Sequence, residues 1–343
     1  MTHSKNPLQL YGAPGSPYTR KMLALLRYRR IPHAVLWGTM ADGRPDLPKP
    51  KVGLLPTFYF ETGEGVEAVV DSTPIIRRLE AEYAGRSVLP ADPALRFINA
   101  LLEDFGDEWL TKAMFHYRWA YGDDIANAGP LLTFWHDPTL DDAAAAGFAK
   151  AFSERQIDRL WVVGSNETTA PVIEDSYKRL LKILDELITA QGYVLGTRPS
   201  SADFALYGQL TQLTLVDPTP ARLARETAPR VRAWVDRVDD LSGLDPAQDG
   251  FLSVEQAEAA LKPLLGEVGR VYAPFLIANA KALQAGEDKV SCEIDGREWT
   301  QKAFPYQGKC LMWLREDFAG LDPAAREAVR GLLEGTGAEA LLA

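Results

Sequence analysis

The sequence has few of the side chains that build disulfide frameworks and metal sites. Only two cysteines, Cys292 and Cys310, and four histidines occur among the 343 residues. Two cysteines are too few for a disulfide framework or a cysteine-based zinc site. We therefore expect no metal cofactor, and the simplest location for such a chain is a reducing cytoplasm.

The chain also lacks an excess of positive charge and long apolar runs. Lys and Arg number 37 against 47 Asp and Glu, which gives a formal net charge of -10 at pH 7. A protein that neutralises phosphates needs the opposite balance, so we expect no nucleic-acid partner. No apolar run reaches the length of a membrane span, and residues 1–7 lack the apolar core of a signal peptide, so no membrane association is predicted.

The composition does provide enough apolar residues for more than one folded core. Hydrophobic residues make up 46% of the chain and charged residues 24%, which is typical of a globular protein. A length of 343 residues exceeds that of one ordinary domain, so two or three units are expected.

Residues 8–31 predict a strand that ends at Gly12, a turn and an amphipathic helix. Ser16 can cap this helix and Pro17 occupies its first position, where a missing N–H costs nothing. A hydroxyl at a helix N-terminus can stabilise an anion, including a thiolate, although Ser-Pro at this place is commonly only a cap. The apolar face comprises Met22, Leu23, Leu25 and Leu26, and the expected solvated side carries Arg20, Lys21, Arg27 and Arg29.

Three further segments extend this unit into a small mixed α/β sheet. Strands are predicted over 31–37, 54–60 and 66–70, with a loop rich in proline and glycine over 38–53 and a turn before the last strand. Pro56 is tolerated at the very start of a strand. A cis bond there would project the backbone of Leu55 outward, where it could pair with an extended peptide.

A helix start follows the last of these strands. Ser72 and Thr73 are the candidate caps, and Pro74 lies in the first turn. The free N–H groups, a hydroxyl and the carboxylate of Asp71 could bind both charges of an α-amino acid. The carboxylate would lie on the helix N-terminus and the ammonium near Asp71. An ordinary capped helix is the alternative interpretation.

Taken together, three motifs resemble the N-terminal domain of cytosolic glutathione transferases, which has the thioredoxin fold. They are Tyr-Gly-Ala-Pro-Gly-Ser-Pro-Tyr-Thr-Arg-Lys, Leu-Leu-Pro-Thr-Phe and Asp-Ser-Thr-Pro-Ile-Ile-Arg-Arg-Leu, in this order. The resemblance implies that Ser16 contacts the glutathione sulfur and that the backbone of Leu55, before Pro56, pairs with the cysteinyl part. It also implies that Asp71 and Ser72 bind the γ-glutamyl end.

The resemblance leaves some roles open in the N-terminal domain. Either Lys49 or Lys51 would meet the glycyl carboxylate, and Lys51 is our choice. Tyr11 and Tyr18 compete with Ser16 for contact with the sulfur, or they only pack in the domain. Because position 16 is Ser rather than Cys, mixed-disulfide chemistry is not expected at that position.

Two motifs carry the resemblance into an all-helical domain. Gly196 to Tyr207 contains the family's Pro-Ser-x-Ala-Asp capping box, and Pro229 to Trp234 matches its Pro-x-Val-x-x-Trp helix. A helix is predicted from Ala94 to about Arg118, and residues 120–146 are expected to be largely loop. In the family this region lines the electrophile pocket. The candidates here are Trp109, Phe115 and Trp119, and the acidic residues Glu103, Asp104, Asp107 and Glu108 are expected to form a solvated or interface face.

The last hundred residues lie outside the resemblance. An Asp-Gly pair between two alternating runs predicts a β-hairpin over 289–300, and helices are expected on either side of it. An isolated hairpin is marginal, so this extension must pack on the helical domain, where it covers the pocket or extends an interface. The predicted division is 1–84, 94–243 and 244–343, joined by a linker over 85–93.

The sequence therefore predicts a thioredoxin-like α/β domain, an all-helical domain and a C-terminal extension of helices and a hairpin. The predicted activity is conjugation of glutathione, as co-substrate, to a small hydrophobic electrophile in a homodimer. The alternatives are a non-catalytic adaptor of the same fold and a glutathione-dependent lyase or dehalogenase.

Overall fold

The structure, a computed structural model, describes residues 7–38 and 46–343. The strands of the described residues are β1 (Leu8–Gly12), β2 (His33–Trp37), β3 (Thr57–Thr62), β4 (Gly65–Val69), β5 (Lys289–Ile294) and β6 (Arg297–Lys302). The α-helices are α1 (Pro17–Tyr28), α2 (Ser72–Glu82), α3 (Pro93–Glu108), α4 (Leu110–Ala120), α5 (Gly122–His136), α6 (Asp142–Ile157), α7 (Ala170–Gln191), α8 (Ser201–Thr211), α9 (Pro218–Thr227), α10 (Pro229–Val238), α11 (Val254–Glu267), α12 (Ala273–Ala285), α13 (Pro305–Ala319) and α14 (Pro323–Leu333). Among these helices none is long and apolar enough to cross a membrane.

The N-terminal unit is a mixed sheet with the strand order β2-β1-β3-β4. β1 pairs in parallel with β2 through the crossover helix α1, and in antiparallel fashion with β3. Leu10 lies opposite Phe58 in this register, and both side chains are buried. The predicted thioredoxin-like α/β unit is therefore confirmed.

Helix α1 begins as predicted, but its basic side is not solvated. The Ser16 side chain accepts a hydrogen bond from the Thr19 N–H at 3.2 Å. Lys21 is completely buried and Arg29 is almost completely buried, so the predicted solvated side is wrong at these two positions. At Lys21 the reason is α8, which covers this side of α1: a Cβ atom on Gly208 would lie only 2.5 Å from the Pro17 carbonyl oxygen. Arg29 is instead enclosed by the end of α2, where it pairs with Glu80 at 2.7 Å and donates to the Tyr83 carbonyl.

The third strand begins later than predicted, and the second helix begins earlier. β3 starts at Thr57 rather than at residue 54, because the chain before it turns at the cis Leu55–Pro56 peptide bond. The cap of α2 is Asp71, whose side chain accepts from the Thr73 N–H, so the prediction of Ser72 or Thr73 as the cap is wrong. The predicted loop over 120–146 is largely helical, because it contains all of α5 and the first turn of α6.

The helical domain is organised around α3, α4 and α8. The capping box of α8 is formed as predicted, with the Ser200 and Asp203 side chains bound to each other's backbone. The predicted single helix from Ala94 is divided at Trp109 into α3 and α4. Of the two alternatives predicted for the acidic residues of α3, the solvated face is wrong, because Glu103 and Asp107 are 3% and 6% exposed and lie against α1, where both accept from Lys21.

The C-terminal extension adds α11 to α14 and the predicted hairpin to this domain. The hairpin turns at Asp295 and Gly296, both with positive φ, as a type I′ turn requires. Trp299 of β6 is fully buried, and its ring centroid lies 5.3 Å from that of Trp109. The extension and the helical domain thus share one hydrophobic core.

Candidate functional site

A cavity of about 520 Å³ lies where the N-terminal unit, α3, α4 and the extension meet. The N-terminal unit contributes Leu55, Pro56, Asp71 and Ser72 to its walls. The extension contributes Phe304, Tyr306 and Gln307. Four predicted binding residues, which are separated by up to 17 positions in sequence, therefore line one space.

One wall offers an extended backbone for pairing. The Leu55–Pro56 bond is cis, and no hydrogen bond joins the Leu55 backbone to another described residue. A ligand with its own peptide groups can use this free N–H and C=O.

The N-terminus of α2 forms the next wall. Asp71 adopts φ of 80°, which brings its backbone and side chain to the start of the helix. Its carboxylate accepts from the Thr73 N–H at 3.3 Å and, through Oδ2, from the Tyr306 hydroxyl at 2.9 Å. The Ser72 hydroxyl is buried beside it, so a carboxylate acceptor and the positive end of a helix lie next to each other.

Behind Ser72 lies a buried ion cluster centred on Lys21. Its Nζ donates to Ser72 Oγ at 2.9 Å, to Glu103 Oε1 at 2.8 Å and to Asp107 Oδ2 at 2.6 Å. Burial lowers the pKa of Lys21, but the carboxylates of Asp107 and Glu103 outweigh it and hold the pKa above its usual value. The lysine therefore stays charged and fixes the position of the Ser72 hydroxyl.

Three of the four carboxyl groups of α3 have raised pKa values, and Glu103 is the exception. Burial raises the pKa of Asp104 to about 6 and that of Asp107 to about 7. Burial, followed by the charges of Asp104 and Asp107, raises the pKa of Glu108 to about 8. Perturbed carboxyl groups in a cavity are common at functional sites, and here they make the local charge depend on pH.

Lys112 of α4 lies against the extension. Its Nζ donates to Gln301 Oε1 at 3.0 Å and lies 4.1 Å from the Phe275 ring centroid. Burial lowers the pKa of Lys112 to about 7. The aromatic surroundings and the neutral amide partner mean that this amine is easily discharged.

The cavity lining also includes apolar side chains. They are Phe115 of α4, Val162, Val163, Phe304 and the exposed Leu54. A cavity with convergent polar groups and apolar side chains suits a small organic ligand.

Two family models match the chain. The model for the glutathione S-transferase N-terminal domain matches residues 10–87, and the model for the C-terminal domain matches residues 91–237. The chain belongs to the glutathione S-transferase family. No curated protein sequence matches it.

Solved structures of other family members resemble this chain. One from Rhodospirillum rubrum is 15% identical, with 72% of this chain and 96% of that chain covered and a TM-score of 0.41. One from Methylobacterium radiotolerans, in complex with glutathione sulfonate, is 18% identical, with 72% and 100% covered and a TM-score of 0.35. The beta-etherase LigF from a Sphingobium species is 18% identical, with 68% and 95% covered and a TM-score of 0.47.

Not all predicted site residues of this family member line the cavity. Tyr18 and Phe115 do, and the Tyr18 hydroxyl donates to the Asp107 carbonyl at 2.8 Å. Tyr11 is buried against Tyr59. Outside the cavity lining are Ser16, Tyr11, Lys51, Trp109 and Trp119.

The outlying aromatic residues have packing roles. The Trp109 ring N–H donates to Ser176 Oγ at 2.8 Å, and Trp119 is buried with its centroid 6.4 Å from that of Phe115. Lys51 is exposed on the loop before Leu55. The loop of Ser16 is held by Arg118, which donates to the Gly15 carbonyl at 3.2 Å.

Sequence reasoning missed two sets of residues around the cavity. Lys21 was placed on a solvated helix side, and no sequence signal showed that α8 would bury it. Tyr306 and Gln307 lie in the extension, outside every motif of the family, so only the tertiary structure brings them to Asp71 and Glu108. The described residues contain no group of three or more His, Cys, Asp or Glu side chains placed to bind a metal ion.

Proposed function

We propose that this protein binds glutathione in the cavity and transfers it to a small hydrophobic electrophile. Family membership supports glutathione as the ligand. The observation that carries the proposal is that Leu55, Asp71 and Ser72 line one cavity. The Leu55 backbone would pair with the cysteinyl part, and the start of α2 would bind the γ-glutamyl carboxylate.

The Ser16 hydroxyl, at the start of α1 outside the cavity lining, would activate the thiol, for which the cysteinyl part must extend from the cavity toward α1. Ser16 Oγ already accepts from the Thr19 N–H, so its hydrogen is free to donate to a thiolate sulfur. The hydroxyl and the N-terminus of α1 would together favour the thiolate over the thiol. The thiolate is the reactive form. The thiol proton would pass to solvent, the thiolate sulfur would form a bond to the electrophilic carbon, and the leaving group would depart with the electron pair of the bond that breaks.

The apolar side chains of the cavity would bind the electrophile. Phe115, Val162 and Phe304 offer apolar surface there, which fits a small hydrophobic molecule better than a charged one. We further propose a homodimer, a cytoplasmic location and the domain division 1–84, 94–243 and 244–343.

The test combines glutathione titration by calorimetry with a Ser16→Ala variant. We expect wild type to bind glutathione in the micromolar to millimolar range. Ser16→Ala should bind it with similar affinity but lower kcat/KM for a model electrophile by roughly tenfold to a thousandfold, since one donor to the reacting charge is lost. In a pH titration followed by the ultraviolet absorbance of the bound thiolate, the midpoint should lie at higher pH in Ser16→Ala than in wild type.

Ser253→Ala is the matched control for this variant. Ser253 caps α11 just as Ser16 caps α1, so both variants lose a helix cap, but Ser253 is far from the cavity lining. Equal kcat/KM in the Ser16 and Ser253 variants would remove Ser16 from the mechanism. No heat at millimolar glutathione with folded wild type would overturn the proposal and favour an adaptor. If glutathione binds but no conjugate forms, a product survey would test for lyase or dehalogenase activity.

A further inference from the structure

The start of α13 reaches into the cavity from the extension. Its position is fixed by Asn279 of α12, whose amide exchanges two hydrogen bonds with the Phe304 backbone at 2.8 and 3.0 Å. Tyr306 then donates to Asp71 Oδ2, and Gln307 Nε2 donates to Glu108 Oε2 at 3.1 Å. The extension is therefore anchored at Asp71, which is a residue of the proposed glutathione site.

Two buried acceptors in the same wall have no donor. Gln307 is 3% exposed, and its Oε1 has no hydrogen-bond partner among the described residues. Asp107 is 6% exposed, and while its Oδ2 accepts from Lys21, its Oδ1 has no partner either. A buried acceptor without a donor is costly and calls for an explanation. Both residues line the cavity, so a ligand can supply the missing donors.

The charges around these acceptors identify the kind of donor. Lys21 provides one positive charge to Glu103 and to Asp107, which is about half ionised at pH 7 because its pKa is about 7, and Asp71 adds another carboxylate to the wall. Gln307 contributes an acceptor and no charge. A primary ammonium has three N–H donors and one positive charge, so it satisfies both the acceptors and the charge. A carboxylate group would satisfy neither.

We propose that the extension completes the site for the ligand's α-ammonium group, with Gln307 Oε1 accepting from it beside Asp71 and Asp107. Tyr306 is a positioning residue, because its hydroxyl orients the Asp71 carboxylate. This inference rests on the proposed function, in which the ligand is glutathione and the ammonium belongs to its γ-glutamyl part. The consequence is selectivity for thiol peptides with a free amino group.

The test compares glutathione with its des-amino analogue, glutaryl-cysteinyl-glycine, by calorimetric titration. Gln307→Met keeps the length of the side chain and removes the acceptor. We expect it to weaken glutathione binding by roughly tenfold, as for a lost hydrogen bond to a charged group, and to change binding of the analogue by less than threefold. Tyr306→Phe should also weaken binding of glutathione more than binding of the analogue, but by a smaller factor than Gln307→Met.

Lys309→Met, at an exposed position on the same helix, is the control and should bind both ligands like wild type. Gln307→Asn retracts the acceptor by one carbon and serves as a second variant if Gln307→Met does not fold. If the Gln307 variants weaken both ligands equally, or neither, the inference is overturned while the proposed function stands. Wild type that binds neither ligand overturns the proposed function, and this inference falls with it.

Discussion

At the scale of single residues, burial decides the charge of the cavity. Glu108 lies on α3 close to Asp104 and Asp107, and its carboxyl accepts a hydrogen bond from Gln307. A carboxyl group that is buried near other carboxyl groups holds its proton to higher pH. The pKa of Glu108 is raised to about 8, so this residue is largely neutral in the folded protein at pH 7.

This raised pKa makes stability depend on pH. The unfolded chain releases the Glu108 proton near pH 4.5, whereas the folded protein keeps it until about pH 8, so stability falls as pH rises through this window. Glu108→Gln has no proton to release and keeps an acceptor for Gln307. We expect the free energy of unfolding of this variant, relative to wild type, to rise by roughly 3 to 4 kcal/mol from pH 5 to pH 8, measured by urea unfolding.

Glu327→Gln provides the control for this comparison. Glu327 lies on α14 with its side chain 80% exposed, so its replacement should change stability equally at both pH values. A Glu108→Gln variant whose difference from wild type is the same at pH 5 and pH 8 would show that Glu108 titrates normally in the folded protein.

At the scale of elements, helix starts position the binding groups. The N-termini of α1, α2 and α13 carry Ser16, Asp71 and Tyr306, three residues of the proposed site or its support. The start of α8 also binds polar groups, but these belong to the backbone of the helical domain itself. There Asp203 accepts from the Val194 N–H and from the Ser200 N–H, both at 2.8 Å, and from the Ser200 hydroxyl at 2.7 Å.

The buried capping box of α8 should be worth more than an exposed one. Asp203→Ala leaves the buried N–H groups of Val194 and Ser200 without acceptors, so we expect a loss of about 3 kcal/mol in the free energy of unfolding. The box of α11 is exposed, and Ser253→Ala should cost about 1 kcal/mol. Urea unfolding of both variants checks this, and equal losses would contradict it.

At the scale of the whole molecule, the extension is part of the core and not an appendage. Trp109 between α3 and α4, Phe275 of α12 and Trp299 of β6 form one aromatic cluster with centroids 5.3 to 6.1 Å apart. Lys112 donates to Gln301 inside this cluster. Because these contacts join the helical domain to the extension, neither can lose its structure without exposing apolar surface of the other.

This shared core should make unfolding cooperative. We expect tryptophan fluorescence, far-ultraviolet circular dichroism and calorimetry to report one coincident transition, with the calorimetric enthalpy equal to the van't Hoff enthalpy. Trp299→Phe should lower the midpoint and keep a single transition. An early transition that involves only residues 244–343, detected by limited proteolysis, would contradict a common core.

The sequence by itself determined the local structure and the family motifs of this protein. The Ser16 cap, the Asp295–Gly296 turn and the Ser200–Asp203 box depend on neighbouring residues, so local physical chemistry was sufficient to predict them. The family motifs also led to Leu55, Asp71 and Ser72, which do line one cavity.

Only the tertiary structure decided what surrounds those residues. The burial of Lys21 depends on α8, which lies some 180 residues along the chain, and the contact of Tyr306 with Asp71 spans 235 residues. Helical spacing shows which residues share a side of a helix, but not which element will cover that side. For the same reason the acidic residues of α3 were expected at a surface, whereas packing against α1 and the extension encloses them and shifts their pKa values.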